Sequence, residues 1–158
     1  METITIQVDQ ADVYEEVAKA TDYTGSKMAD ADATARDRIL AADADLSELG
    51  RFWEEAATAC NESLKEMLVR GDTRTKSSGS GTTKVYEALL EVSLSFDKTL
   101  TGSVQSAIRS YFISAIIAQW FKFANKAEAE DYFNTAAEQI AAAERMLYSR
   151  RRPTFPKG

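Results

Sequence analysis

The alternation of apolar and polar residues marks two segments of the chain as strands. Residues 2–8 place isoleucine and valine on one side and threonine and glutamine on the other, which predicts a short strand with one buried face. Residues 85–96 alternate in the same way. Because a strand needs a partner, we expect 68–75 to pair with them, giving a β-hairpin around residues 68–96.

The sequence between these two hairpin strands is polar and rich in glycine and serine. Residues 71–84 read GDTRTKSSGSGTTK, which predicts a long mobile loop. Arg74 and Lys76 are its candidate contacts for a partner, although a solvated hairpin tip explains them equally well. Residues 70–72 spell the Arg-Gly-Asp adhesion tripeptide, which we attribute to chance because the chain carries no secretion signal.

A three- to four-residue period predicts three helices in the first half of the chain. We expect the first over residues 9–22, with a break near Tyr23–Ser26. A weakly amphipathic helix is expected over 27–42. The third begins at Asp45–Glu48, which has the spacing of a capping box, and its apolar positions continue to Leu68.

Two long helices are predicted in the second half of the chain. The first covers residues 103–125 and is apolar on nearly every side, so it is central in a bundle or shared with a second subunit. The second covers 127–148 and pairs with the first as an antiparallel hairpin; its apolar positions recur at three- and four-residue steps, at Phe133, Ala136, Ile140, Ala143 and Leu147. The fold class is therefore mainly α: a small helical bundle with a long C-terminal helical hairpin and a minor β element, in a single domain of residues 1–148.

The amino-acid composition excludes several kinds of catalytic and metal site. The chain has no histidine and one cysteine, Cys60, so histidine-based catalytic pairs, histidine or cysteine zinc sites and an internal disulfide are excluded. Glu48, Glu55 and Glu62 lie seven residues apart on one helix; a carboxylate metal site or a solvated face would explain them, and we favour the solvated face. We therefore expect no enzyme activity, cofactor or metal.

Charge is divided unevenly along the chain. Residues 1–69 hold 6 basic and 16 acidic residues, whereas 70–158 hold 13 basic and 9 acidic ones. This suits head-to-tail contact between copies, and an accident of solvated faces explains it equally well. The start has no signal-peptide pattern, and the most apolar run, 111–124, is too short to span a membrane, so we expect a cytoplasmic protein without membrane contact.

The last ten residues, 149–158, form a predicted extended basic tail. Three arginines and both prolines of the chain fall in its final nine residues, with one large apolar side chain among them. Nucleic-acid binding, membrane attachment and compensation of a helix dipole are the alternatives; we favour docking on another protein because the prolines enforce an extended segment. The predicted partner-binding residues are Arg74, Lys76, Arg150, Arg151, Arg152, Pro153 and Phe155.

The second half of the chain also resembles a known family. Its aromatic helix, with Tyr111-Phe112 and Trp120-Phe121, precedes an alanine-rich one with Ala127-Glu128-Ala129, Tyr132-Phe133 and Ala136-Ala137, and the segment closes on Arg150-Arg151-Arg152-Pro153. Over residues 100 to 153 this pattern resembles the head–tail adaptor (connector) proteins of tailed phages and prophages. The resemblance implies a homo-oligomeric ring beneath the portal, contacts with other virion proteins through tails and loops that order on assembly, and no enzyme activity.

Two hypotheses follow from the sequence. In the first, the protein is a ring subunit of a phage particle that docks through its tail and its 71–84 loop. In the second, it is a cytosolic regulatory or DNA-associated module acting through Arg150, Arg151 and Arg152.

Overall fold

The fold is mainly helical with a small antiparallel sheet, which confirms the predicted class. The computed structural model describes residues 1–29, 46–78, 81–122 and 125–151. Within these ranges the elements are β1 (Glu2–Asp9), α1 (Gln10–Ala29), α2 (Leu46–Ser63), β2 (Leu68–Ser78), β3 (Gly81–Val92), α3 (Thr101–Phe121) and α4 (Lys126–Leu147).

The three strands form one sheet in the order β1–β3–β2, with both pairings antiparallel. The predicted N-terminal strand is confirmed, and so is the pairing of 68–75 with the second strand, which ends at Val92 and not at Phe96 as predicted. Ile6 and Val8 of β1 and Tyr86, Ala88 and Leu90 of β3 point into the core. The opposite face of the sheet carries mainly polar side chains, with Val85 and Leu89 as apolar exceptions, so the helices pack mainly on one face.

The prediction of a long loop over 71–84 is wrong. β2 continues to Ser78 and β3 begins at Gly81, with a ladder from Gly71↔Ala88 to Ser78↔Gly81. The backbone groups of this polar segment are satisfied by pairing between the two strands, so the segment needs no apolar side to form a ladder.

Helix α3 lies at the centre of the molecule, as its apolar composition predicts. Phe112 contacts the rings of Trp53 from α2 and Tyr86 from β3, at centroid distances of 4.7 and 5.1 Å. Ile108 and Ile116 are also fully buried. Each such side chain contributes about 1.5–3 kcal/mol when it leaves water, so this contact between α2, α3 and β3 is the main stabilising core.

The predicted C-terminal helical hairpin is present, with ends that differ slightly from the prediction. Asn125 caps α4 by accepting a hydrogen bond from the Glu128 N–H at 3.3 Å. Helix α3 starts at Thr101, two residues before its predicted start, and has no side-chain cap. Asp97 instead caps a short 3₁₀ turn, Lys98–Leu100, that leads directly into α3.

The first half of the chain differs from the prediction at two helix ends. Helix α1 continues through the predicted break at Tyr23–Ser26 and ends at Ala29. Helix α2 ends at Ser63, because a turn over 64–67 redirects the chain into β2 before Leu68. The predicted helix over 27–42 falls largely outside the described residues, as does Asp45 of the predicted capping box. No helix in the described part of the chain is both long and apolar enough to cross a membrane.

Candidate interaction surfaces

The β2–β3 hairpin extends beyond the three-stranded sheet. β1 pairs with β3 only as far as Asp9↔Val85, whereas the β2–β3 ladder continues for four more pairs, from Thr75↔Lys84 to Ser78↔Gly81. At roughly 3.3 Å per residue, these pairs form a two-stranded ribbon about 13 Å long. We call residues 75–84 the arm. It contains Lys76, one of the predicted partner-binding residues, opposite Thr83 in the ladder.

Arg74, the other predicted basic contact of this segment, lies at the base of the arm on the open face of the sheet. Its guanidinium contacts the Glu87 carboxylate at 2.5 Å, and Arg70 approaches the same carboxylate at 3.7 Å. Gln7 donates a hydrogen bond to Glu87 at 2.7 Å. The Glu87 side chain is only 16 % exposed, so it neutralises part of the positive charge expected here.

The Arg-Gly-Asp tripeptide lies inside β2 and is not displayed on a loop. Arg70 forms an ion pair with Asp72 at 3.3 Å, and the carbonyl of Gly71 accepts a hydrogen bond from Asn61 Nδ2 at 3.1 Å. Asn61 Oδ1 in turn accepts from the buried Tyr86 hydroxyl at 2.5 Å. The glycine at position 71 therefore has a structural role: it lets the Asn61 side chain reach the strand.

The start of the predicted tail is part of the fold. Arg150 forms an antiparallel bridge with Phe96, and the Arg151 N–H donates to the Ser95 carbonyl at 2.7 Å. The Arg150 guanidinium donates to Ser93 Oγ at 2.8 Å. Helix α4 ends at Leu147, close to its predicted end at residue 148, and Arg150 lies beyond it. Arg152, Pro153 and Phe155 lie outside the described residues.

An apolar groove crosses the helical side of the molecule. Its floor is α3, at Tyr111, Ala115 and Gln119, and its walls are α2 and α4. The cavity measures about 320 Å³. The residues of its walls are Phe52, Glu55, Ala56, Phe133, Ala136, Ala137 and Ile140.

Phe133 belongs to the apolar period predicted for the last helix, but it is not buried as the other members of that period are. Its side chain is 40 % exposed at the rim of the groove. Helix α4 packs closely on α3 and makes few contacts with α2, so Phe133 lies at the edge of the contact between α3 and α4. Arg51 stacks its guanidinium over the ring of Phe52, on the opposite wall, at 5.4 Å, and is itself paired with Glu48 at 2.6 Å.

A second, polar cleft of about 590 Å³ lies between the base of the arm and α3. Its main charged contact is between Asp12 of α1 and Arg109 of α3, where two guanidinium nitrogens contact the two carboxylate oxygens at 2.5 and 3.1 Å. The hydrogen bond from Arg109 lowers the pKa of Asp12, and the same pair raises the pKa of Arg109. Both groups stay charged and hold α1 against α3, so this pair acts as a structural clamp.

The remaining candidate chemistry is buried or dispersed. The Cys60 thiol lies in the core, where desolvation raises its pKa to about 12, so it is a poor nucleophile. Burial likewise raises the pKa of Tyr111 to about 12. Among the described residues, no group of three or more cysteine, aspartate or glutamate side chains is arranged to hold a metal ion.

The described part of the chain is small and mainly helical, with three distinctive features. These are the projecting arm, the attachment of Arg150 and Arg151 to residues 95–96, and the apolar groove. No protein-family model, curated protein or solved structure matches the chain.

Proposed function

We propose that this protein is a non-enzymatic structural subunit of a phage or prophage particle, a head–tail connector that assembles into a homo-oligomeric ring. The observation that carries the proposal is the arm. A two-stranded ribbon with no third strand is marginally stable in water, so a projecting ribbon of this length is suited to be completed by a neighbouring subunit. The resemblance of residues 100 to 153 to adaptor proteins names the class of assembly.

The distribution of charge supports contact between copies. Lys76 and Lys84 of the arm, together with the arginines of the C-terminal tail, belong to the basic part of the chain. Helix α2 exposes carboxylates along its length, at Glu48, Glu54, Glu55 and Glu62. The one described contact between these sets is Lys84 with Glu54, at 3.3 Å within one chain. The same ion pairing between neighbouring copies of a ring would place the arm of one copy against the acidic helix α2 of the next.

The alternative of a DNA-associated module has less support. Binding to phosphates needs unpaired basic side chains clustered on one face. Arg70 and Arg74 share Glu87, Arg109 is paired with Asp12, and Arg51 is paired with Glu48. A gel shift at low salt tests this alternative: a complex lost on deletion of residues 149–158 would favour it over the structural role.

The test of the proposed function is assembly. Sedimentation velocity of the full chain at high concentration, and electron microscopy with the portal protein of the same phage, are expected to detect rings or a stable complex. In a matched variant, residues 76–83 are replaced by Asn-Gly, which closes a short hairpin on the Thr75–Lys84 pair. We expect this variant to keep its circular dichroism and unfolding midpoint and to lose assembly. A full chain that stays monomeric and ignores the portal would contradict the proposal.

A further inference from the structure

The apolar groove has no occupant among the described residues, and its shape suits one aromatic side chain. Phe52 and Phe133 face each other across it, with small alanines between them on α4. We propose that the groove binds the C-terminal segment 152–158 of a second copy, with Phe155 inserted between the two walls. This inference rests on the self-assembly in the proposed function and names the contact that would link neighbouring subunits.

Two long segments lie outside the described residues, 30–45 and 152–158. The charge of the groove favours 152–158 as its occupant. Glu55 lines the groove, and the lining residues include no lysine or arginine. Arg51, the nearest basic side chain on that wall, is already paired with Glu48. The segment 152–158 is basic, with Arg152 and Lys157 on either side of Phe155. Residues 30–45 carry five aspartates and two arginines, so Glu55 would repel them.

The reach of the chain indicates a second copy. Arg151 is held against Ser95, and Phe155 follows four residues later, at most about 14 Å away along an extended chain. Helix α4 rises about 1.5 Å per residue, so Phe133 lies about 21 Å before Leu147 along the helix axis. The extended length available to Phe155 is shorter than this rise along α4, which supports a second copy as the source of the segment that reaches Phe133.

Burial of Phe155 would supply a localised anchor of the kind that dominates protein interfaces. An aromatic side chain in an apolar pocket, surrounded by charged contacts at the rim, is the usual arrangement of an energetic hot spot. Pro153 and Pro156 restrict the free segment before it binds, which reduces the entropy lost on docking. The arginine and lysine beside them would meet the acidic side of α2.

Trapping the contact by a disulfide between two different chains tests the proposal. One full-length chain carries Phe155→Cys, and a second, isotopically heavier one carries Ala137→Cys. After mixing and mild oxidation, we expect mass spectrometry to detect a disulfide between heavy and light chains. Thr135→Cys is the matched control, because Thr135 is exposed on the opposite face of α4. We expect roughly tenfold less crosslinking there, since a disulfide needs a narrow range of separations. Cys60 is buried and does not compete.

The outcomes separate this inference from the proposed function. A chain carrying both Phe155→Cys and Ala137→Cys that closes only an internal disulfide would overturn the inference, as would the absence of any crosslink. Sedimentation of Phe155→Ala gives a second readout, expected to shift toward monomer. If Phe155→Ala keeps the assembly of the full chain, the tail contact is wrong and the ring proposal stands. If the full chain neither self-associates nor binds the portal, the ring proposal itself fails.

Discussion

Replacing Gly71 with alanine tests the packing of the hairpin on α2. A Cβ added at position 71 would lie 2.0 Å from Asn61 Oδ1 and 2.8 Å from its Cγ, far inside van der Waals contact. The Asn61 side chain would have to leave its position. It would then lose its hydrogen bonds with the Gly71 carbonyl and with the buried Tyr86 hydroxyl.

The cost follows from those two hydrogen bonds. Each intramolecular bond contributes about 0.5–1.5 kcal/mol, and a buried hydroxyl left without a partner costs about 1–3 kcal/mol. Alanine offsets part of this loss, about 0.5–1 kcal/mol, because it loses less backbone entropy than glycine on folding. We expect Gly71→Ala to lower the free energy of unfolding by about 2 kcal/mol, which corresponds to roughly 4–8 °C in Tm for a chain of this size.

Urea denaturation followed by circular dichroism measures this change, and two further variants identify its cause. In an Asn61→Ala background the obstacle is absent, so Gly71→Ala should cost little, giving a coupling energy of at least about 1 kcal/mol. Gly50→Ala on α2 is the control, because an added Cβ there meets nothing within 4 Å. Since alanine favours a helix, Gly50→Ala should stabilise the protein by up to about 1 kcal/mol. An equal cost of Gly71→Ala in both backgrounds would show that the clash with Asn61 is not its cause.

Three further predictions concern the clamp, the cysteine and the core. Because Arg109 lowers the pKa of Asp12, the clamp stabilises the fold at neutral pH. Asp12→Asn should therefore lower the free energy of unfolding by under about 1 kcal/mol at pH 7, measured by urea titration. The difference in free energy of unfolding between this variant and the parent should vanish as the pH falls well below 4. Cys60 should react with maleimide only when the chain unfolds, so rapid labelling of the folded protein would contradict its burial. Phe112→Ala should cost about 3–5 kcal/mol by the same denaturation assay, whereas a loss under 1 kcal/mol would contradict the central position of α3.

Elements with a buried face were predictable from the sequence. The alternation of residues 2–8 and 85–96 reflects the single packed face of the sheet, and the apolar surface of α3 reflects contacts with several elements. The outer half of β2 was not predictable in this way. From Thr75 to Ser78 it is polar throughout, and it is held by ladder hydrogen bonds with β3, which leave no apolar period in the sequence.

Local signals also failed where tertiary packing decided the outcome. Gly25 suggested a helix end, yet the backbone of α1 continues past it to Ala29. The apolar period of α4 includes Phe133, but α4 packs mainly on α3, which leaves this ring at a rim. Arg150 was assigned to an extended tail and is instead held by Phe96 and Ser93, more than fifty residues away in the chain.

The candidate surfaces were predictable only in part. The basic residues of the arm and tail could be identified in the sequence. We predicted that they contact a partner because the segments that carry them are polar and basic. The groove was not visible, because it arises from the gap between α2 and α4 over α3. The pairing of Glu87 with Arg74 was not predictable, because it depends on the register of the hairpin.

Native mass spectrometry of the full chain, beside the variant with the shortened arm, measures self-assembly through the arm. We expect oligomers of one defined size for the full chain and monomers for the variant at the same concentration, with the two proteins equally stable. Monomers for both proteins up to the limit of solubility, with no complex formed on addition of portal protein, would contradict this expectation.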